Sequence, residues 1–140
     1  MIYTGNEIVN LVYGLLNSEY SQLKGFIGGL LYKRGTRPAN STAEDAVIGF
    51  LSGTAEQVQQ GFIVLNVYVP NIKTKGGYAM CNISRCQAVE ALLTTIPDWL
   101  TQRCDVRFET SDMICTIEEP ELGQHFVSLK MRFKVLSTKN

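Results

Sequence analysis

The sequence predicts an α+β fold: a mainly antiparallel sheet with two helices packed on one face, in the order α-β-β-β-α-β-β-β. Two stretches repeat apolar residues at helical spacing, one near the N-terminus and one just before Pro97. The segments between and after them run or alternate apolar over strand lengths, bounded by Gly, Pro, Asn and Asp. No internal repeat or low-complexity tract divides the chain, so residues 1–140 read as a single domain large enough to bury a core without disulfides.

The first helix starts with Thr4 or Asn6 as N-cap, and Glu7 is placed to complete a capping box. Ile8, Leu11, Val12, Leu15 and Leu16 then make one apolar stripe that ends near Asn17 to Glu19. Phe26 to Lys33 reads as a strand whose Gly28 and Gly29 call for a bulge or a close backbone approach. Arg34 to Thr42 has the composition of a loop. Glu44 to Ser52 and Gln59 to Val69 form an expected antiparallel hairpin, and Pro70, with no N–H to donate, ends its second strand.

Residues 71–82 are the longest irregular stretch and carry Lys73, Lys75, Gly76 and Gly77. Ser84 to Gln87 reads as a second capping box, opening a helix with Cys86, Val89, Leu92, Leu93 and Ile96 on one face. Pro97 is expected to end it, with Trp99 and Leu100 packed just beyond. Strands follow around Cys104 to Glu109 and Met113 to Glu118, separated by a turn at Ser111 and Asp112. After a turn at Pro120 the last strand alternates cleanly. His125, Val127, Leu129, Met131, Phe133 and Val135 face one way, and Phe126, Ser128, Lys130, Arg132 and Lys134 the other.

Composition excludes several classes of function. Basic and acidic residues balance at 13 each, so bulk charge draws the chain to neither nucleic acid nor anionic lipid. No apolar run is long enough to span a bilayer, and the N-terminus lacks the pattern of an export signal. Cys81, Cys86, Cys104 and Cys115 match neither a paired zinc spacing nor a disulfide scaffold. They read as small buried hydrophobes in a reducing, cytoplasmic setting.

Reactive constellations are scarce, and the chain reads as a non-enzyme with no cofactor and no metal. His125 is the one histidine and lies on the apolar side of its strand. A small-molecule enzyme would have to be built around it and Glu118. Glu118, Glu119 and Glu121 surround Pro120 in a turn, where solvated carboxylates are ordinary. Lys130, Arg132 and Lys134 form a basic stripe that suits a channel or DNA-facing surface, and with Lys73 and Lys75 it makes a nucleic-acid-binding module the alternative function. Asp105, Arg107 and Glu109 offer cross-strand ion pairing as a simpler account of the stripe.

The strand up to Pro70 is apolar on both faces. Ile63, Leu65, Val67 and Val69 share one; Phe62, Val64, Asn66 and Tyr68 share the other. Two helices cover only one face of a sheet, so the second needs solvent or a partner. The expected contact between copies is Phe62, Val64 and Tyr68 with Phe50 nearby, supplemented by the loop residues Lys73, Lys75 and Tyr78.

The run from Ala43 through Glu44, Asp45 and Ile48, then Gln60 through Asn66 and Tyr68 to Pro70, follows an Arg37-Pro38 loop. In these words, and in element order over about residues 6–100, the chain resembles phage and prophage tail-completion (tail-terminator) proteins, particularly those from phages of Bacteroides-like bacteria. The resemblance implies a structural virion protein of the head–tail junction or neck. Such a protein forms a homo-oligomeric ring, commonly a hexamer, that caps the tail tube and joins it to the head-side connector. Its implied partners are its own copies, the tail-tube protein and the connector, with DNA met only by passage through a channel and no membrane contact. Virion localisation after assembly in the host cytoplasm follows from the same likeness. The glycine-rich loop at 71–82 and the last third of the chain depart from the pattern.

Overall fold

A computed structural model describes residues 3–54, 58–73, 75–77 and 79–136. Helix α1 (Gly5–Ser18) begins as expected: Thr4 Oγ1 accepts the Glu7 amide at 3.2 Å, and Glu7 Oε1 accepts the Thr4 amide at 2.9 Å. Its stripe of Ile8, Val9, Val12 and Leu16 is buried. The next element departs from expectation, because residues 21–26 form a short helix, α2 (Ser21–Phe26), and only Leu31–Lys33 is a strand, β1. Leu23 on α2, Ile27 at its extended C-cap and Leu31 on β1 all enter the core, so a short helix and a short strand share the burial that one strand was expected to supply. The close approach expected at Gly28 and Gly29 occurs at Gly29, where a Cβ would run into the Asp45 carboxylate and the Glu44 backbone.

Strands β2 (Ala46–Gly53) and β3 (Val58–Pro70) form the expected antiparallel hairpin. The stretch after Pro70 is not wholly irregular: β4 (Ile72–Lys73) pairs with β5 (Ala79–Met80) as a small separate ribbon. Helix α3 (Ile83–Leu93) starts two residues earlier than a Ser84 cap would allow. Asn82 is the N-cap, its side chain accepting the Arg85 amide at 3.3 Å. Pro97 does not close the helical region but opens α4 (Ile96–Thr101), where its missing N–H leaves no bond unmade.

The two strands expected after Cys104 are one, β6 (Arg107–Glu119), with Cys104 lying before it. Ser111 and Asp112 do carry a turn-like conformation, but as an irregularity within the strand, with Asp112 at φ 64°. A 3-10 turn (Pro120–Leu122) and Gly123 at φ 64° then lead into β7 (Gln124–Leu136). The sheet has five strands in the order β1-β2-β3-β7-β6, with only the β1–β2 pair parallel. The fold is therefore α+β, as the sequence predicts.

Register assigns the faces. Ile63 lies opposite Met131, Leu65 opposite Leu129 and Ile48, and Val67 opposite Val127 and Ala46. All of these are fully buried under the helices, with α1 over β1 and β2, and α3 and α4 over the β7–β6 side. Burying this face removes several large aliphatic side chains from water, each worth about 1.5–3 kcal/mol relative to exposure. Among the described residues no helix lies across the opposite face.

Candidate functional site

The helix-free face of the sheet is the candidate site. Four rows of side chains cross it, set by the antiparallel register. One row runs Glu109, Arg132, Phe62 and Ser52; the next runs Ser111, Lys130, Val64 and Gly49. A third holds Cys115, Ser128, Asn66, Val47 and Tyr32, and the fourth Ile117, Phe126 and Tyr68. The apolar character expected on this side of β3 continues at Val47 of β2, Phe126 of β7 and Ile117 of β6, and gives way to Lys130, Arg132 and Glu109 toward the other end.

The chain itself covers part of that surface. The Arg37 guanidinium lies 4.0 Å above the Tyr68 ring, and Tyr68 packs on Phe126 with ring centroids 5.4 Å apart. Lys130 places its ammonium 4.6 Å from the Phe62 ring centre. Arg34 fills the space where Gly49 has no side chain and donates from Nη1 to the Phe50 carbonyl at 3.1 Å. Between these cations Val64 is only 7% exposed. It is dry in the isolated chain and has almost no surface left to lose at an interface, which corrects the expectation for this residue.

A buried ion pair fixes the covering loop. Asp45 is 1% exposed and accepts from Arg37 Nε at 3.0 Å, from Ser41 Oγ at 2.6 Å and from the Leu30 amide at 2.9 Å. Arg37 also donates to the Ser41 and Ala43 carbonyls and to Gln124 Oε1 at 3.2 Å. Burial pushes the Asp45 carboxyl up, but the Ser41 hydroxyl, the Leu30 amide and Arg37 together outweigh it and hold the group below its usual range. Glu44 pairs with Arg85, which also lies over the Phe26 ring. Both acids of the Glu44-Asp45 word thus meet arginines of their own chain.

The other residues singled out from sequence divide. Phe50 pairs with Ile63 and so belongs to the helix-covered face, where it meets Gly5 and lies 6.3 Å from the Phe133 ring. Side-chain alternation along β2 removes it from the surface that holds Phe62. Lys73 and Lys75 are exposed, whereas Tyr78 lies outside the described residues. The β4–β5 ribbon presents Ile72 and Met80 as a cross-strand pair, 47% and 49% exposed, an apolar tip that reading 71–82 as an irregular stretch missed.

The basic stripe is partly neutralised. Lys130 meets Asp112 at 3.4 Å and Arg132 meets Glu109 at 3.6 Å. Lys134 lies opposite Arg107, and neither has an ion pair among the described residues. The β6–β7 hairpin is therefore basic at its open end and acidic, with Glu118, Glu119 and Glu121, at its turn. His125 sits at the turn end of β7, its Nδ1 2.7 Å from Asn71 Oδ1 and its register partners Val69 and Glu118. Among the described residues no group of three or more His, Cys, Asp or Glu side chains could hold a metal ion.

Cys86 is buried as expected, Cys81 and Cys104 are half-buried, and Cys115 is exposed on β6. No helix among the described residues is long and apolar enough to cross a membrane. Compared with protein-family models and with curated proteins, the chain matches none.

Proposed function

We propose that this chain is a ring-forming structural protein of a phage head–tail junction, capping the tail tube and joining it to the head-side connector without performing a reaction. The observation that carries the reading is the helix-free sheet face, whose rows gather Tyr68, Phe126 and Ile117 at one end and hold Phe62 three rows away, covered among the described residues only by the Arg37 loop and by single cations. The occupant is a second copy of the chain. A ring needs a heterologous contact, in which one patch meets a different patch on the next copy. The charge polarity of the β6–β7 hairpin supplies the complement: the acidic turn of one copy faces Arg107, Arg132 and Lys134 of the next.

Light scattering over a range of concentrations and salt tests the reading. A closed oligomer that dissociates as salt rises is expected. Glu121→Lys and Lys134→Glu each disrupt it, and the double variant restores it. A single-chain particle at every concentration, unaltered by added tail tubes, would overturn the proposal.

A further inference from the structure

The start of α3 holds two thiols in contact. Cys81 Sγ and Cys86 Sγ are 3.9 Å apart, and both cysteines are free. With Asn82 as the N-cap, Cys81 occupies the position before the cap and Cys86 the fourth position of the helix. Those two positions form a hydrophobic staple, the pair of side chains that sets how a chain enters a helix. The backbone around them is already fixed: the Ile83 amide donates to the Cys81 carbonyl at 3.0 Å and the Cys86 amide to the Asn82 carbonyl at 2.9 Å. A disulfide has sulfurs about 2.05 Å apart. Closing the remaining distance falls to side-chain torsions, with half-buried Cys81 the freer of the two.

We propose that Cys81 and Cys86 form a dithiol–disulfide pair, a staple that becomes covalent on reaction with a low-molecular-weight disulfide. In the first step the Cys81 thiolate attacks one sulfur of the reagent, forming a mixed disulfide and releasing one thiolate. Cys86 then gives its proton to water and attacks Cys81 Sγ, expelling the second thiolate. Two protein thiols and one reagent disulfide become one protein disulfide and two reagent thiols, so atoms and electrons balance. The bond ties the end of β5, and with it the return strand of the β4–β5 ribbon, to the first turn of α3.

The neighbours set the order and pace of these steps. Burial, and after it the nearby Cys81 thiol, pushes Cys86 up to about 12, so Cys86 is the resolving thiol and Cys81 the one that meets the reagent. Thr116 and Glu90 are the other groups acting on Cys86. Cys104 is occupied elsewhere, donating to the Leu100 carbonyl at 3.3 Å. Burial still holds the Cys86 thiol up in the mixed disulfide, so ring closure accelerates as pH rises.

The test uses the full chain with oxidised glutathione at pH 8.5, followed by iodoacetamide and tryptic mapping. Cleavage after Lys75, Arg85 and Arg103 puts the two cysteines on separate peptides, 76–85 and 86–103, so a bridge joins peptides that otherwise separate. The expected result is that linked pair, with alkylation falling from four cysteines to Cys104 and Cys115 alone. Cys81→Ser, a substitution at a half-buried site, is expected to leave three alkylated cysteines and no internal bond. Four alkylated cysteines in the treated chain, glutathione retained on Cys81, or a bridge through Cys115 between two chains would each overturn the proposal.

Discussion

Arg37→Ala removes the guanidinium from the loop that closes over the sheet. The variant leaves Asp45, 1% exposed, with Ser41 Oγ at 2.6 Å and the Leu30 amide at 2.9 Å as its remaining partners. Breaking a buried ion pair from one side costs about 3–5 kcal/mol, because the stranded charge keeps its desolvation penalty. The lost stacking on Tyr68 adds roughly 0.5–2 kcal/mol, and the unmet Gln124 Oε1 about 1 kcal/mol. These losses share one network and do not add, so about 4 kcal/mol is expected in total. That is a large share of the roughly 5–15 kcal/mol by which a domain is stable. At about 2–4 °C per kcal/mol for a chain near this size, Tm falls by roughly 10–15 °C.

Urea unfolding followed by fluorescence suits the measurement, because Trp99 is the only tryptophan and its ring packs 4.6 Å from that of Tyr20 in the folded state. The pH dependence discriminates further. The folded wild-type Asp45 has a depressed pKa, against 3.8 for the free group. Its stabilisation is therefore fully present above about pH 4 and is lost as pH falls through the folded value. Removing Arg37 takes away two of the influences that lower the Asp45 pKa, so it rises relative to wild type, and the variant's deficit is greatest at neutral pH and shrinks as pH falls through the carboxylate range. Arg37→Lys keeps a charge but not the fork that reaches Asp45, Ala43 and Gln124, and should fall between the two. A deficit below about 1 kcal/mol, or one independent of pH from 3 to 7, would refute the clamp as a stabilising element.

Four smaller perturbations follow from the same geometry. Thr4→Ala removes the hydroxyl that accepts the Glu7 amide, while the amide of residue 4 still donates to Glu7 Oε1, and should cost about 0.5–2 kcal/mol by the same urea assay. Gly61→Ala puts a Cβ against the Ser52 carbonyl and Gly53 Cα, both backbone, so strands β2 and β3 must part; about 1–3 kcal/mol of destabilisation is expected in thermal melts. Val64→Ala should lower monomer stability by roughly 1–2 kcal/mol while leaving the light-scattering mass unchanged, and Ile117→Ala should do the reverse.

The alternation of β3 and β7 was legible because every odd residue from Ile63 to Val69 and from Val127 to Val135 is buried, a period that only a pleat satisfies. Helix α2 was not, since six residues containing Gly25 carry too little periodicity to compete with the apolar run that follows. Likewise β6 read as two strands, because the local signal for a turn at Ser111 and Asp112 is the same signal that makes an irregularity inside a strand. The Arg37–Asp45 clamp was beyond sequence reading for a different reason. Its third member, Gln124, is brought in from 87 residues away by closure of the sheet. The Cys81–Cys86 contact was hidden by a two-residue shift: with Ser84 as the cap, Cys86 would not stand opposite Cys81.

Where the apolar surface lies decides what an assembly could gain. The expected core of the contact, Val64, is closed off by Lys130 on one side and Arg34 over Gly49 on the other, so docking removes almost no water from it. The accessible apolar area sits at the margins instead, at Ile117 (42% exposed) on the edge strand and at Ile72 and Met80 on the ribbon. In the proposed ring such a margin would meet a different region of the next copy. A face-to-face contact centred on Val64 would be isologous and would close at two copies. The self-covered centre leaves little apolar surface for a contact centred on Val64, and the proposed ring rests on the offset, charge-polarised contact instead.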